Sequence, residues 1–214
     1  MLHDRDIREP LFAFLEQRYG KIRILEEKTM GRSRADIVMV TPGQICGIEI
    51  KSDADGYTRL ARQIRDYDRY FDRTFCAVGV SHAAHIEEHL PPYWGIITAE
   101  ELEDGSLDFY VAREAAPNPQ LEEERKISLL WRRELNHLLL RNGLPAYAGK
   151  SKKSVGEILL ERVHPDELAW QMTDELFERD YTTIEQEINA YREAHGERPK
   201  RKRKRKKRTG KAAR

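Results

Sequence analysis

Only two cysteines occur in the 214 residues, Cys46 and Cys76, each alone in an apolar stretch. Without C-x-x-C spacing there is no disulfide framework, zinc-finger signature or dithiol redox motif, and both read as reduced core thiols. No apolar run approaches the roughly 20 residues that a membrane helix needs. The first ten residues, MLHDRDIREP, are charged from the start, so no export leader is expected and the chain reads as cytoplasmic. Internal repeats are also lacking, which excludes a solenoid.

An even spread of charge is missing too, although the total hides it. Lys and Arg number 38 against 37 Asp and Glu, a formal charge of +1. Residues 198–214 hold 12 of these bases and no acid, leaving 26 bases against 37 acids before them. The body is therefore acidic and the tail strongly basic. Lys200, Arg201, Lys202, Arg203, Lys204, Arg205, Lys206, Lys207 and Arg208 form a run that would neutralise nucleic-acid phosphates without reading bases. A solvated tail, or one folded back on the body, is the plainer reading of the same run. In each case residues 198–214 bury no core and are expected to be disordered in isolation.

Ile7, Leu11, Phe12, Leu15 and Tyr19 recur at helical spacing before Gly20, which predicts a helix over residues 5–19 with Pro10 near its first turn or kinking it. Extended runs follow at 22–29, 35–40 and 45–52. Between the last two, Thr41-Pro42-Gly43-Gln44 has the proline and glycine of a type II turn, which makes them an antiparallel pair. Leu60, Ile64, Tyr67 and Phe71 stripe a helix over 57–71, followed by a buried strand at 74–80 and a short helix at 82–90 that stops at Pro91-Pro92. A strand at 93–98 and a last polar hairpin or strand around 107–111 complete one α/β domain over residues 1–115. A linker near 117–124 leads to amphipathic helices at 127–140, 155–163 and 166–179, so residues 116–197 read as a helical subdomain or a cap.

Side chains alternate along a strand, so Gly47, Glu49 and Lys51 share one face while Ile48 and Ile50 take the other. The tight turn brings Asp36, on the neighbouring strand, within reach of Glu49. Two carboxylates and an ammonium on one sheet face are costly unless something compensates them. A hard divalent cation, Mg²⁺ or Mn²⁺, would do so; it would also polarise a phosphodiester and acidify a water that Lys51 orients. The triplet E-x-K occurs three times, at Glu26, Glu49 and Glu124. Only the middle one lies in an apolar strand, follows an acid-bearing strand and precedes an amphipathic helix. On that helix Gln63 shares a face with Leu60 and Tyr67, and a half-buried glutamine needs partners that the carboxylates, the lysine or the water would supply. A salt-bridged cluster on a solvated sheet face is the plain alternative.

The segment from Arg34 to Phe71, RADIVMVTPGQICGIEIKSDADGYTRLARQIRDYDRYF, resembles the PD-(D/E)XK nuclease superfamily. Its R-x-D, G-x-E-I-K-S-D and R-L-x-x-Q-x-x-x-Y motifs, with Trp94-Gly95-Ile96 downstream, are similar more narrowly to a family of bacterial and phage proteins that carries no assigned substrate. That likeness extends through Leu130-Trp131-Arg132 and Arg179-Asp180-Tyr181 but not to the tail. The resemblance implies a restriction-endonuclease-like αβββαβ core with a mixed sheet. It further implies Asp36 as first acid, Glu49 and Lys51 as the E-x-K, the Ile50 backbone carbonyl as a metal ligand, and Gln63 with Tyr67 as a Q-x-x-x-Y pair. Ala35 stands where the motif's name has proline. An acid of the first helix or strand often assists the metal in such folds, and Glu9 and Glu27 are the candidates.

One motif competes. Residues His85 to His89 read H-I-E-E-H, the pattern of inverted zinc peptidases, which needs both histidines on one helical face. The short helix and the prolines behind it argue instead for a charged solvated face. The whole sequence reads as a Mg²⁺- or Mn²⁺-dependent DNA nuclease, with a non-cleaving nucleic-acid-binding module on the same fold as the alternative. Single-stranded, double-stranded and branched DNA and RNA stay open as substrates, as do sequence specificity, a homodimer and a protein partner. Repair, phage replication and defence are all compatible settings.

Overall fold

Apolar alternation along the strands sets up two faces of one sheet. The computed structural model of the chain describes residues 2–53 and 55–179. The run Lys200 to Arg208 and residues 198–214 as a whole lie outside the described residues, as does the end of segment 116–197. The elements follow the order α1 (Asp4–Tyr19), β1 (Arg23–Met30), β2 (Ser33–Thr41), β3 (Gln44–Lys51), α2 (Leu60–Tyr67), β4 (Arg73–Gly79), α3 (Val80–Ala83), β5 (Gly95–Glu101), β6 (Leu107–Arg113), α4 (Glu123–Ile127), α5 (Arg132–Arg141), α6 (Lys152–Arg162) and α7 (Pro165–Phe177). The first six reproduce the αβββαβ order, and the protein is a mixed α/β fold.

The six strands lie in the order β1-β2-β3-β4-β5-β6. Pairing is antiparallel within β1-β2-β3, parallel across β3-β4-β5 and antiparallel again at β5-β6. The two parallel steps need crossovers, and α2 and α3 with the turn after it provide them. The β2–β3 turn has Gly43 at φ 79, the left-handed third position of a type II turn.

Ile37, Met39, Cys46, Ile48, Ile50, Phe75, Ala77 and Ile97 face α1, whose Ile7, Leu11 and Leu15 complete that core. Val38, Val40, Ile45, Cys76, Val78 and Ile96 face the other way and join one cluster with Leu60, Tyr67, Phe71 and the apolar residues of α4 to α7. The sheet is thus covered on both sides, and β3 is buried from Ile45 to Lys51. The described residues through Glu178 form one compact unit. No helix among the described residues is long and apolar enough to cross a membrane.

Several elements depart from their sequence-based expectations for tertiary reasons. Pro10 sits in the second turn of α1 rather than near the first. The helix expected over 57–71 is a 3₁₀ turn, Tyr57–Arg59, followed by α2, which ends at Tyr67. Just past that end Asp68, still helical in backbone, accepts hydrogen bonds from Trp94 Nε1 and Tyr93 Oη, both at 2.8 Å. The helix expected at 127–140 starts only at Arg132, where Glu134 accepts the Trp131 N–H at 2.6 Å and caps it, and α4 before it ends at Ile127. Residues 82–90 hold the end of α3 and a 3₁₀ turn, Ile86–His89.

One buried ion pair joins the C-terminal helices to the sheet. Lys126 of α4, 3% exposed, donates to Asp72 Oδ1 at 2.7 Å, while Asp72 Oδ2 accepts the Ile45 N–H at 2.7 Å. Removing the lysine leaves the half-buried Asp72 carboxylate without its counter-charge, which costs up to about 3 kcal/mol. Lys126→Ala is therefore expected to lower the unfolding free energy by up to about 3 kcal/mol in urea titrations; a loss below about 1 kcal/mol would place the pair with exposed ion pairs.

Candidate active site

The floor of the site is built by β2 and β3 where they part. Their pairing runs from Thr41↔Gln44 to Ile37↔Ile48, and one step further the same register sets Asp36 opposite Glu49. On the other side, the β1–β2 register sets Glu27 opposite Asp36, between the pairs Glu26↔Ile37 and Lys28↔Ala35. Three acids therefore lie in one row across the sheet. Glu27 has φ 51, a strained value for a side-chain-bearing residue, at the point where the regular pairing lapses.

Glu49 is 1% and Lys51 2% exposed. Lys51 Nζ donates to Glu49 Oε1 at 2.6 Å and to Gln63 Oε1 at 3.1 Å. The Gln63 amide in turn donates to Glu49 Oε1, so lysine, glutamate and glutamine close a triangle. On the other carboxylate oxygen, Tyr67 Oη donates to Glu49 Oε2 at 2.7 Å and also accepts the Asp36 N–H at 3.3 Å. A fold does not require such a pair, because apolar residues of similar volume would hold a central strand about as well. The pair lies among the residues that line a cleft.

Tyr67 reaches Glu49 because residue 47 has no side chain. A Cβ there would lie 2.7 Å from Tyr67 Cδ1 and collide with the Phe71 ring. The glycine two residues before Glu49 thus makes room for the aromatic pair that fixes the carboxylate. Burial, then the charges of Glu49 and Asp36, push the Tyr67 phenol well above its ordinary value. It keeps its proton and acts as a donor that orients Glu49.

Asp36 is held from the strand and from α1. Its Oδ2 accepts the Ile50 N–H at 2.9 Å. Arg8 donates to the Asp36 backbone carbonyl at 3.1 Å and lies 3.9 Å from Oδ1. Arg8 is itself paired with Asp4, 2.8 Å away. Burial and the negative charge of Glu49 push the Asp36 carboxyl up to about 7, against the pull of the Ile50 N–H and Arg8.

The donor set suits a hard divalent cation in kind. Asp36 Oδ1 has no hydrogen bond among the described residues, and Ile50 lies on the cleft wall beside it. No three His, Cys, Asp or Glu side chains cluster as a metal shell among the described residues. Backbone, water and phosphate oxygens would have to complete the coordination, as Mg²⁺ commonly allows.

The cleft above these residues has a volume of about 460 Å³. Glu27 lines it and pairs with Arg34 at 3.0 Å. Glu9 is exposed on α1 and does not line it; the α1 acid in the cleft is Asp4. Arg8, Arg32, Arg34, Arg59 and Arg62 also line the cleft; Arg34 and Arg59 belong to the R-x-D and R-L-x-x-Q motifs, and sequence reasoning passed over the other three. The available signals were Asp4 and Arg8 at i,i+4, and paired arginines at 32/34 and 59/62. Of the zinc-peptidase motif, His89 packs on the Tyr57 ring at 4.2 Å and His85 caps a 3₁₀ turn. Four residues in 3₁₀ geometry advance a full turn and a third, so the single shared helical face that the motif needs is not formed. Cys46 and Cys76 are free and buried, and burial pushes both thiols up, Cys46 to about 12.

Among known proteins, the family model described as bacteriophage P4 protein cII matches residues 2–199. No curated protein matches the sequence. One solved structure, SfsA of Pyrococcus furiosus in complex with Ca²⁺, is similar at 12% identity over 50% of this chain, with a TM-score of 0.33. The matched region spans 60% of that protein's own chain.

The raised carboxyl of Asp36 makes stability depend on pH. Between the ordinary value of 3.8 and about 7 the unfolded chain ionises this group while the native protein keeps it protonated. This contribution to stability is full below pH 3.8, falls as pH rises towards about 7, and levels off above that. Urea unfolding of wild type and Asp36→Asn at a series of pH values should show the variant gaining on wild type across that window in EDTA. A constant difference would show that the Asp36 carboxyl is not raised.

Proposed function

Since the chain belongs to the bacteriophage P4 protein cII family, we propose that this phage-family protein is a metal-dependent nuclease of the PD-(D/E)XK kind, hydrolysing phosphodiester bonds, in DNA first of all. The observation that carries the reading is the meeting of Asp36, Glu49 and Lys51 on one sheet face, with Gln63 and Tyr67 bonded to Glu49, beneath an arginine-lined cleft.

Asp36 and Glu49, with the Ile50 carbonyl, are the residues that would hold Mg²⁺ or Mn²⁺. Bound there, the ion supplies Lewis acidity to the phosphate and lowers the pKa of a water. Asp36 contributes an oxygen without a competing hydrogen bond. Lys51, aimed by Glu49 and Gln63, orients the attacking water or meets the negative charge that develops on the phosphate. Gln63 and Tyr67 keep Glu49 in one rotamer; they position the site and do not exchange protons in it. Two buried free thiols suit a reducing compartment, which accords with the cytoplasm.

A second reading has its own support. Glu49 and Lys51 are closed on each other at 2.6 Å and almost without exposure, as a structural ion pair would be. That favours a nucleic-acid-binding module that does not cleave.

Incubation of purified protein with single-stranded, double-stranded and branched DNA and with RNA, in Mg²⁺, Mn²⁺ or EDTA, separates the two. Metal-dependent cutting is expected, and Lys51→Ala should lower it by roughly 10²–10³-fold while leaving binding in EDTA close to wild type. Undiminished cutting by Lys51→Ala removes the mechanism. Tight binding without cutting by wild type moves the protein to the binding module. A second expectation concerns residues 198–214: deleting them should weaken binding and flatten its salt dependence, the slope on a single strand falling by about 0.7 for each phosphate that the tail had neutralised. An unchanged slope removes the tail's role.

A further inference from the structure

Six cations line the cleft, and four of them are matched by carboxylates. Arg8 meets Asp4 at 2.8 Å, Lys51 meets Glu49 at 2.6 Å, Arg34 meets Glu27 at 3.0 Å and Arg59 meets Asp55 at 4.0 Å. Arg32 and Arg62 line the same cleft, are both exposed, and form no ion pair among the described residues. They come from two elements, the β1–β2 turn and α2. Those elements are tied together by Asp66, which accepts the Arg32 N–H at 3.2 Å and the Ser33 hydroxyl at 2.6 Å. The preceding Gly31, at φ +56, lets the turn close on Asp66; a Cβ there would lie 2.6 Å from the carboxylate. The two guanidinium groups are therefore open to solvent at their ends but carried on segments held at a fixed spacing.

The rest of the lining decides what they would hold. No aromatic side chain lines the cleft among the described residues, so it offers bases nothing to stack on. Its volume of about 460 Å³ has room for a short stretch of one strand. Unpaired arginines are suited to phosphate, which they bind through paired N–H donors.

We infer that Arg32 and Arg62 hold phosphates next to the scissile one, so that the cleft takes a single strand of nucleic acid by its backbone, without base readout. This rests on nucleic acid being the ligand of the Asp36–Glu49–Lys51 site, but not on its being cut. Asp66 is then the positioning residue that sets the spacing of the two arginines.

The test uses the full chain in EDTA. Phenylglyoxal modification is mapped by peptide mass spectrometry with and without a short oligo-dT. Arg32 and Arg62 should become several-fold less reactive with the strand present, while Arg162, which does not line the cleft, stays unchanged. In parallel, Arg32→Gln/Arg62→Gln should bind oligo-dT and a mixed-sequence strand more weakly to the same degree. Its slope of log affinity against log salt should be smaller by about 1.4, from about 0.7 for each of two phosphates. Undiminished reactivity of both arginines, or an unchanged slope in the double variant, overturns the inference. Protection in a protein that never cuts leaves it standing and removes only the nuclease. Cutting by a protein whose arginines stay reactive removes the inference alone.

Discussion

A carboxylate buried in the middle of a sheet has to be satisfied from its own surroundings, and the region around Glu49 is arranged to do this. Lys51 comes from the same strand, two residues on and therefore on the same face. Gln63 and Tyr67 come from α2, one turn apart, so that one helix face delivers an amide and a phenol to the two carboxylate oxygens. Gly47 leaves the space through which the aromatic side chains approach. Each choice is dictated by the buried Glu49 carboxylate, and each would be wasted without it.

The wider architecture keeps that charge buried. Because β3 is central and parallel to β4, it is covered by α1 on one side and by α2 with the C-terminal helices on the other. Near Asp36, β2 departs from regular pairing with β3, and Asp36 is left half-buried while Glu49 stays covered. The result is an asymmetric pair of acids. Glu49 is fully hydrogen-bonded, whereas Asp36 keeps an open oxygen and a carboxyl pushed up by burial and its neighbour's charge. A proposed cation would relieve the repulsion that the protein leaves in place.

Charge is distributed on three scales. The body is acidic in sum, the tail basic, and the cleft carries arginines that its acids only partly match. An acidic body repels nucleic acid at long range, so attraction in the proposed reading has to be local, from the tail and from the cleft rim. Membership of a phage protein family is compatible with such a partner and does not select it.

Local physics, which the sequence carries directly, determined the elements of the core: alternation marked the strands, Pro42-Gly43 the hairpin, and the stripe of Leu60, Ile64 and Tyr67 the helix behind it. It also placed Glu49 and Lys51 on one face, since side-chain direction in a strand depends only on parity. What it did not determine was register and depth. That Glu27, Asp36 and Glu49 form a row follows from pairings between strands, and that Glu49 and Lys51 are covered follows from helices tens of residues away. Helix ends were misjudged where the apolar stripe runs past a cap, as where Glu134 caps a new start at Arg132. Arg32 and Arg62, unlike Arg34 and Arg59, were hidden as well. In sequence they are ordinary surface residues of a turn and a helix, and only the closure of the turn onto Asp66 brings them to one place, because proximity between distant segments is a property of the packed chain.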